Sequence, residues 1–363
     1  MQKKILILTS QKTGGGHRSS SNAIKTALTE LNLDVEIKDV DSMEFMPGYT
    51  GEDKGGYISF TTRYRFFWKV FFEFTSLFKG MSNFFLYKTV YKRFKKLVSE
   101  YKPDIILSVH PCFVGSVNKC LKRMRVSIPF CVCIIDLVKH SRLWRDKKCA
   151  VTFVPTAKMY GLLLKRGFKR ERLVHSGFPV SERFNDINKS PKTEISVPDV
   201  LMVSPSLKRD KVTLKLIMAT LKHNVNLTVV TGSNEKLKKY LDKKLSVVKN
   251  VTVHGYVIDM DKRLSDADVL IAKAGPNMIL EAVKMCVPVL ITGHIPGQEE
   301  KNYQYIVENG YGLRCGSPKK LSDALSRLFE NDYELLKKFS RNEHGCSDTS
   351  GAKAVAEYIS KAL

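Results

Sequence analysis

Short apolar runs, each followed by a turn signal and then a helical pattern, recur along this chain of 363 residues, and that alternation sharply restricts the folds open to it. The stretch from Lys4 to Ser10 reads as a buried strand and Gly14-Gly15-Gly16-His17 as a turn. Ser20 to Leu31 reads as a helix, because Ala23, Ala27 and Leu31 recur every four residues. Val35 to Val40 alternates like a second strand, Asp104 to Val109 is a buried strand ending at His110-Pro111, and Phe130 to Ile135 is another. A polar stretch with two prolines, residues 185–199, reads as a linker. A second set of runs follows, beginning at Val200, Leu227, Val251, Val269 and Val287, with helical patterns between them.

Alternating strand and helix predicts an α/β chain built as two Rossmann-like halves in tandem, each with a parallel sheet. Ligands of such sheets bind beyond the carboxyl ends of the strands, so two facing sheets would form a cleft. Composition closes off other classes. Apolar residues make up 43% of the chain, which excludes a disordered one. No run of 18 apolar residues lacks a charge, and Ile5-Leu6-Ile7-Leu8 is too short for the core of a secretory signal. The eight cysteines form no Cys-x-x-Cys pair and read as small buried hydrophobes of a reducing, cytoplasmic compartment.

The net charge of +24 calls for an acidic partner. Residues 57–94 hold 15 of the 35 aromatics, with seven Lys or Arg and a single acid, Glu73. Phe66, Phe67, Trp68, Phe71 and Phe72 interleaved with Arg65 and Lys69 suit an anionic bilayer surface. Rings enter the acyl boundary there, and each basic residue contributes about 1 kcal/mol at the headgroups. Stacking on single-stranded nucleic acid and packing as a core helix are the competing readings. The first is ranked lowest, since the aromatics are continuous and Phe outnumbers Tyr, so no nucleic-acid partner is expected.

Two motifs carry chemistry. Gly14, Gly15 and Gly16 let backbone N–H groups approach a ligand at a helix start, and His17 supplies an imidazole that can act as general base. Ser19 stands where a dinucleotide fingerprint has its third glycine, although Asp39 and Asp41 lie at about the right distance for a ribose. In the second half, Gly275-Pro276-Asn277 closes a strand and opens a helix whose amino end is ready for a diphosphate. Glu281, one turn on, can accept hydrogen bonds from both ribose hydroxyls, and Gln298, Glu299 and Asn302 suit sugar hydroxyls. Three Asp-x-Asp pairs (39/41, 259/261, 266/268) flank element ends, and no metal is expected at them.

Together these residues resemble the monogalactosyldiacylglycerol synthase and processive diacylglycerol glucosyltransferase group, glycosyltransferase family 28. The resemblance runs from the Gly14-Gly-Gly-His17 turn through Asp136, His140 and Trp144, Val154-Pro-Thr156 and Gly177-Phe-Pro179. It continues to Lys273-Ala-Gly-Pro-Asn277 and Pro296-Gly-Gln-Glu299. It implies a GT-B fold and inverting transfer of a hexose, glucose or galactose with glucose favoured, from a UDP-sugar to diacylglycerol, without metal or other cofactor. By position, the uracil falls to the Val257 backbone, the diphosphate to Gly275, Pro276 and Asn277, and the ribose to Glu281, with Gly15 and Gly16 also counted among the donor-binding residues. The sugar falls to Gln298 and Glu299, beside Asn302, while His17 with Asp136 is catalytic, and His140 and Trp144 lie near the acceptor. The implied layout is an acceptor- and membrane-binding domain over 1–184, a UDP-sugar domain over 200–345, and a last helix over 346–363 packing back on the first domain. The implied place is the inner, cytoplasmic face of a membrane, peripherally bound.

The chain departs from the group's pattern in two places. Val203-Ser-Pro-Ser-Leu-Lys-Arg209 has no glycine where the family has a glycine-rich turn, which leaves Lys208 or Arg209 to compensate. Ile135 stands where the family commonly has Thr. Two readings outside the active transferases stay open. One is a nicotinamide dehydrogenase using the first turn and Asp39; the other is a non-catalytic membrane-binding relative that has lost the second turn.

Overall fold

The computed structural model describes residues 2–10, 15–45, 79–138, 140–184, 191, 194–203, 210–295 and 299–363, with the side chains of 43 and 79–86 excepted. Phe66, Phe67, Trp68, Phe71 and Phe72, the turn from Ser204 to Arg209, Gly14 and Gln298 lie outside the described residues, as does most of the expected linker.

The chain divides into two compact units, one of residues 1–182 with 347–363 and one of residues 183–295 with 299–346. In chain order the first unit has β1 (Lys3–Thr9), α1 (Gly16–Glu30), β2 (Val35–Asp41), α2 (Lys79–Tyr101), β3 (Ile105–Ser108), α3 (Val114–Met124), β4 (Phe130–Cys133), β5 (Val151–Val154), α4 (Ala157–Lys165) and β6 (Leu173–His175). The second has β7 (Asp199–Val203), α5 (Asp210–Thr220), β8 (Asn226–Val230), α6 (Glu235–Leu245), β9 (Val251–His254), α7 (Met260–Asp266) and β10 (Val269–Lys273). It continues with α8 (Pro276–Lys284), β11 (Val289–Gly293), α9 (Asn302–Glu308), β12 (Gly312–Arg314), α10 (Pro318–Phe329) and α11 (Glu334–Glu343). The last helix, α12 (Gly351–Ala362), returns to the first unit.

Each unit is built on a six-stranded sheet, β2-β1-β3-β4-β5-β6 in the first and β12-β11-β10-β7-β8-β9 in the second. All strand pairs are parallel. Parallel strands buried on both faces read as unbroken apolar runs, and Ile5, Leu6, Ile7 and Leu8 of β1 are all fully buried. The edge strand β2 alternates half-buried and exposed residues over most of its length, in step with its alternating sequence. In the second unit Val200, Met202, Val229, Val269, Ile271 and Leu290 form the core with Leu241, Leu325 and Leu328 from the covering helices. The second sheet follows the dinucleotide-fold order, and its direction of winding reverses between β7 and β10. In the first sheet it reverses between β1 and β3.

Two local details differ from the sequence reading. The first helix starts at Gly16 rather than Ser20, so His17 sits on its first turn and not in a loop. Gly15 caps it in a left-handed conformation (φ 75°), which a side chain would resist, and this lets the helix begin early. The strand expected from Val287 starts at Val289, because Pro288 has no N–H to give to a ladder. The short strands β5, β6 and β12 were not anticipated as strands.

The return of α12 explains the Gly177-Phe178-Pro179 motif. Phe178 N donates to Asp348 O (2.6 Å), Gly351 N donates to Phe178 O (3.0 Å), and His175 Nε2 lies 2.9 Å from Asp348 Oδ1. A Cβ on Gly351 would stand 2.2 Å from Gly177 O, so the two backbones meet only because glycine is present. Among the described residues no helix is long and apolar enough to cross a membrane.

Candidate functional site

The first cluster lies where β1 and β3 part. The His17 Nδ1–H donates to the Val109 carbonyl (2.7 Å), one residue beyond the end of β3. That bond fixes the tautomer and leaves the Nε2 lone pair to act. Burial pushes the His17 pKa down to about 4, against the smaller opposing pulls of the Val109 carbonyl and Asp41. His17 is therefore a neutral base across the physiological range. His110 meets it edge-on with ring centroids 4.7 Å apart. Ser42 Oγ donates to Thr9 O (2.8 Å) and lies 3.1 Å from His110 Nδ1, so it accepts from that nitrogen. Burial above all, and secondarily the repulsion that a protonated His17 would exert, hold the His110 pKa well below the usual imidazole value.

Trp144 closes the same cluster, its ring 6.5 Å from that of His17. The indole N–H donates to Asp136 Oδ2 (2.8 Å), and Ser141 N approaches the same oxygen at 3.4 Å. Asp136 thus orients Trp144 within a buried polar network beside the imidazole. The structure brings His17, Asp136 and Trp144 together. His140 is also buried, but its Nε2 accepts from Arg145 Nε (2.8 Å). Burial, then Arg145 and Arg166, lower its pKa to about 3, so it serves as a neutral anchor for Arg145.

The second cluster lies at the carboxyl end of β10, beside the winding reversal of the second sheet. Gly275 caps α8 without a side chain and Pro276 opens the helix, so the positive end of the helix dipole has no capping side chain from Gly275. Lys273 Nζ pairs with Glu299 Oε1 (2.5 Å), and Ile295 N donates to Glu299 Oε2 (2.8 Å). Asn302 Nδ2 donates to Ala274 O (2.9 Å), while its Oδ1 is buried without a hydrogen-bond partner. Glu281 sits half-buried on α8. Burial raises its pKa to about 7, opposed by Arg183. Arg183 Nη1 also donates to Ile258 O (3.3 Å), next to half-buried Val257, and so links the 257–258 loop to the Glu281 carboxyl. Gly275, Pro276, Asn277, Glu281, Glu299 and Asn302 are gathered on this turn and the helices it joins, with Val257 on the neighbouring loop.

Sequence reasoning missed His110, Ser42, Lys273 and Arg183 as parts of these clusters. His110 and Lys273 carried a signal, since each stands just at or beyond the end of a buried strand; Ser42 and Arg183 carried none. Each Asp-x-Asp pair has a structural use. Asp39 holds Lys25 (2.9 Å), Asp259 holds Arg263 (3.0 Å), and Asp268 Oδ2 accepts from Asp199 N (2.8 Å).

Comparison with known proteins agrees with this anatomy. Residues 17–180 match the family model of monogalactosyldiacylglycerol (MGDG) synthase, and residues 193–344 match that of the group 1 glycosyl transferases. The chain is 29% identical over 360 residues to monogalactosyldiacylglycerol synthase 3, chloroplastic, of Arabidopsis thaliana, covering 94% of this chain and 77% of that protein. It is also 29% identical to a probable chloroplastic monogalactosyldiacylglycerol synthase of Nicotiana tabacum, over 94% of this chain and 67% of that one. Among solved structures it superposes on Acinetobacter baumannii MurG with a TM-score of 0.68 at 14% identity, covering 99% of both chains. It superposes on Os79 of O. sativa in complex with UDP with a TM-score of 0.66 at 11% identity, over 99% of this chain and 100% of that one. At such identities the structural likenesses speak for the fold alone. Fold and matches together define a glycosyltransferase of the GT-B class, an enzyme of sugar transfer. Within that class the first unit matches the monogalactosyldiacylglycerol synthase model over residues 17–180, and 94% of the chain is similar to such synthases.

Proposed function

We propose that the chain transfers a hexose from a UDP-hexose to the free hydroxyl of diacylglycerol, with inversion at the anomeric carbon. The observation that carries this reading is His17, held by the Val109 carbonyl as a neutral imidazole with Nε2 unprotonated. The named activity of its relatives supplies the acceptor class. Nε2 takes the proton of the glycerol hydroxyl as its oxygen attacks the anomeric carbon. The bond from that carbon to the diphosphate oxygen breaks, UDP departs with the electron pair, and the amino end of α8 stabilises the charge that develops.

The donor lies along the second cluster. The uracil falls to the Val257 backbone, the ribose to Glu281, the diphosphate to Gly275, Pro276 and Asn277, and the hexose to Gln298. His140 and Trp144 belong to the acceptor side, where Asp136 fixes the indole. The segment of Phe66, Phe67, Trp68, Phe71 and Phe72 supplies a peripheral anchor to an anionic membrane surface on its cytoplasmic face, a reading supported by composition alone. The test incubates the protein with diacylglycerol vesicles and labelled UDP-glucose or UDP-galactose, then identifies the lipid product and its anomeric configuration. A β-linked hexosyldiacylglycerol from one of the two donors is expected; no lipid product from either contradicts the reading.

A further inference from the structure

We infer that Lys273 is the residue that meets the donor's diphosphate, and that Glu299 is a positioning residue acting through it. The inference rests on the donor-site reading above and goes further than it. Lys273 ends β10 and Glu299 follows β11, so the two meet at the carboxyl edge of the sheet, beside its winding reversal. Glu299 is almost fully buried, 4% exposed, and each of its oxygens is engaged, one by the Lys273 ammonium and the other by Ile295 N–H. Its carboxylate is thus committed to holding the lysine and the 295 turn. The Lys273 side chain is about one-third exposed and keeps one side open.

The ammonium sits at the start of α8. A Cβ built on Gly275 would touch Lys273 Nζ at 3.4 Å and Glu299 Oε1 at 3.7 Å, so glycine leaves room beside the ion pair at the helix start. A cation is disfavoured at a helix amino end, where the dipole is already positive. Placing a lysine there, and burying a carboxylate to hold it, makes physical sense when a polyanion joins the two. Lysine serves phosphate as a compact point charge with three donors. A second, independent feature lies at the same turn: the amide of Asn302, 2% exposed, is bonded through Nδ2 to Ala274 O and keeps a buried Oδ1 without a hydrogen-bond partner. The turn that carries Lys273 and Gly275 is therefore braced from α9 as well.

Calorimetry with UDP, UDP-hexose and uridine tests this on the full chain. Lys273→Met is expected to weaken UDP and UDP-hexose by about tenfold or more and to leave uridine binding unchanged. Lys273→Arg is expected to restore most of the loss. Glu299→Gln is expected to weaken UDP and UDP-hexose by the same factor, and to add nothing in the Lys273→Met background. The double variant leaves no buried carboxylate unpaired, so it gives the same reading should Lys273→Met fail to fold. Unchanged UDP affinity in Lys273→Met or the double variant overturns the role of the lysine. A Glu299→Gln variant that weakens UDP-hexose but not UDP overturns the positioning role and makes Glu299 a sugar contact. Wild-type protein that binds no UDP at all defeats the donor site itself, together with this inference.

Discussion

At the residue scale the two clusters hold ionisable groups pushed in opposite directions. Burial lowers His17 to about 4 and raises Glu281 to about 7. Both shifts favour the neutral form, yet they have opposite consequences for activity. His17 is a base in its neutral form and is ready over the whole neutral range. In the proposed donor site Glu281 would accept ribose hydroxyls best as a carboxylate, so donor capture is expected to improve as pH rises through its folded pKa. Among the described residues, the Val109 carbonyl, Asp41, His110 and Trp144 face His17, and Asp41 adds a negative charge. The kcat/KM for UDP-hexose is therefore expected to rise with pH through about 7 and then level off. Glu281→Gln is expected to remove that limb and leave a drop only near pH 4. A limb near 6.5 that survives in Glu281→Gln would mean that His17 titrates like an exposed histidine, contrary to its burial.

Elements fix these residues by contacts far apart in the sequence. The clearest case is the docking of the last helix on the Gly177-Phe178-Pro179 corner, where Gly351 meets Gly177 backbone to backbone. Gly351→Ala forces the two apart and is expected to cost about 2 kcal/mol or more in denaturant unfolding. Gly161→Ala, in the middle of α4 with nothing within 4 Å of the new methyl, is expected to stabilise by about 0.5–1 kcal/mol. Equal effects from the two would contradict the packing described. The same distinction explains what was legible in advance. Doubly buried strands such as β1 and β10 are continuous apolar runs and stand out in the sequence, as does a glycine or proline at a helix start. The three-residue strands β6 and β12 carry too little pattern, and β5 is a four-residue run that a motif reading passed over. The partnerships of His110 with Ser42, of Lys273 with Glu299 and of Arg183 with Ile258 depend on strand order and loop paths, which local pattern does not contain. The two oxygens of Glu299 meet Lys273 and the Ile295 N–H, partners that its neighbours in sequence do not announce.

On the scale of the whole molecule, the chain repeats one architectural idea twice and gives each copy a different task. Both sheets reverse their winding beside a turn that opens a helix, and in both cases the chemistry gathers there. In the first unit the turn delivers an imidazole; in the second it delivers a helix end with a lysine and a buried carboxylate. Sugar transfer from a nucleotide needs both kinds of group, a base for the acceptor and a cationic seat for the leaving diphosphate. The central claim is that His17 performs the first task. Its most direct test measures hexosyldiacylglycerol formation at saturating donor by the wild-type chain and by His17→Ala, with folding checked by circular dichroism. The variant is expected to lose roughly a hundredfold or more in kcat while retaining UDP affinity; full turnover in His17→Ala would contradict the account.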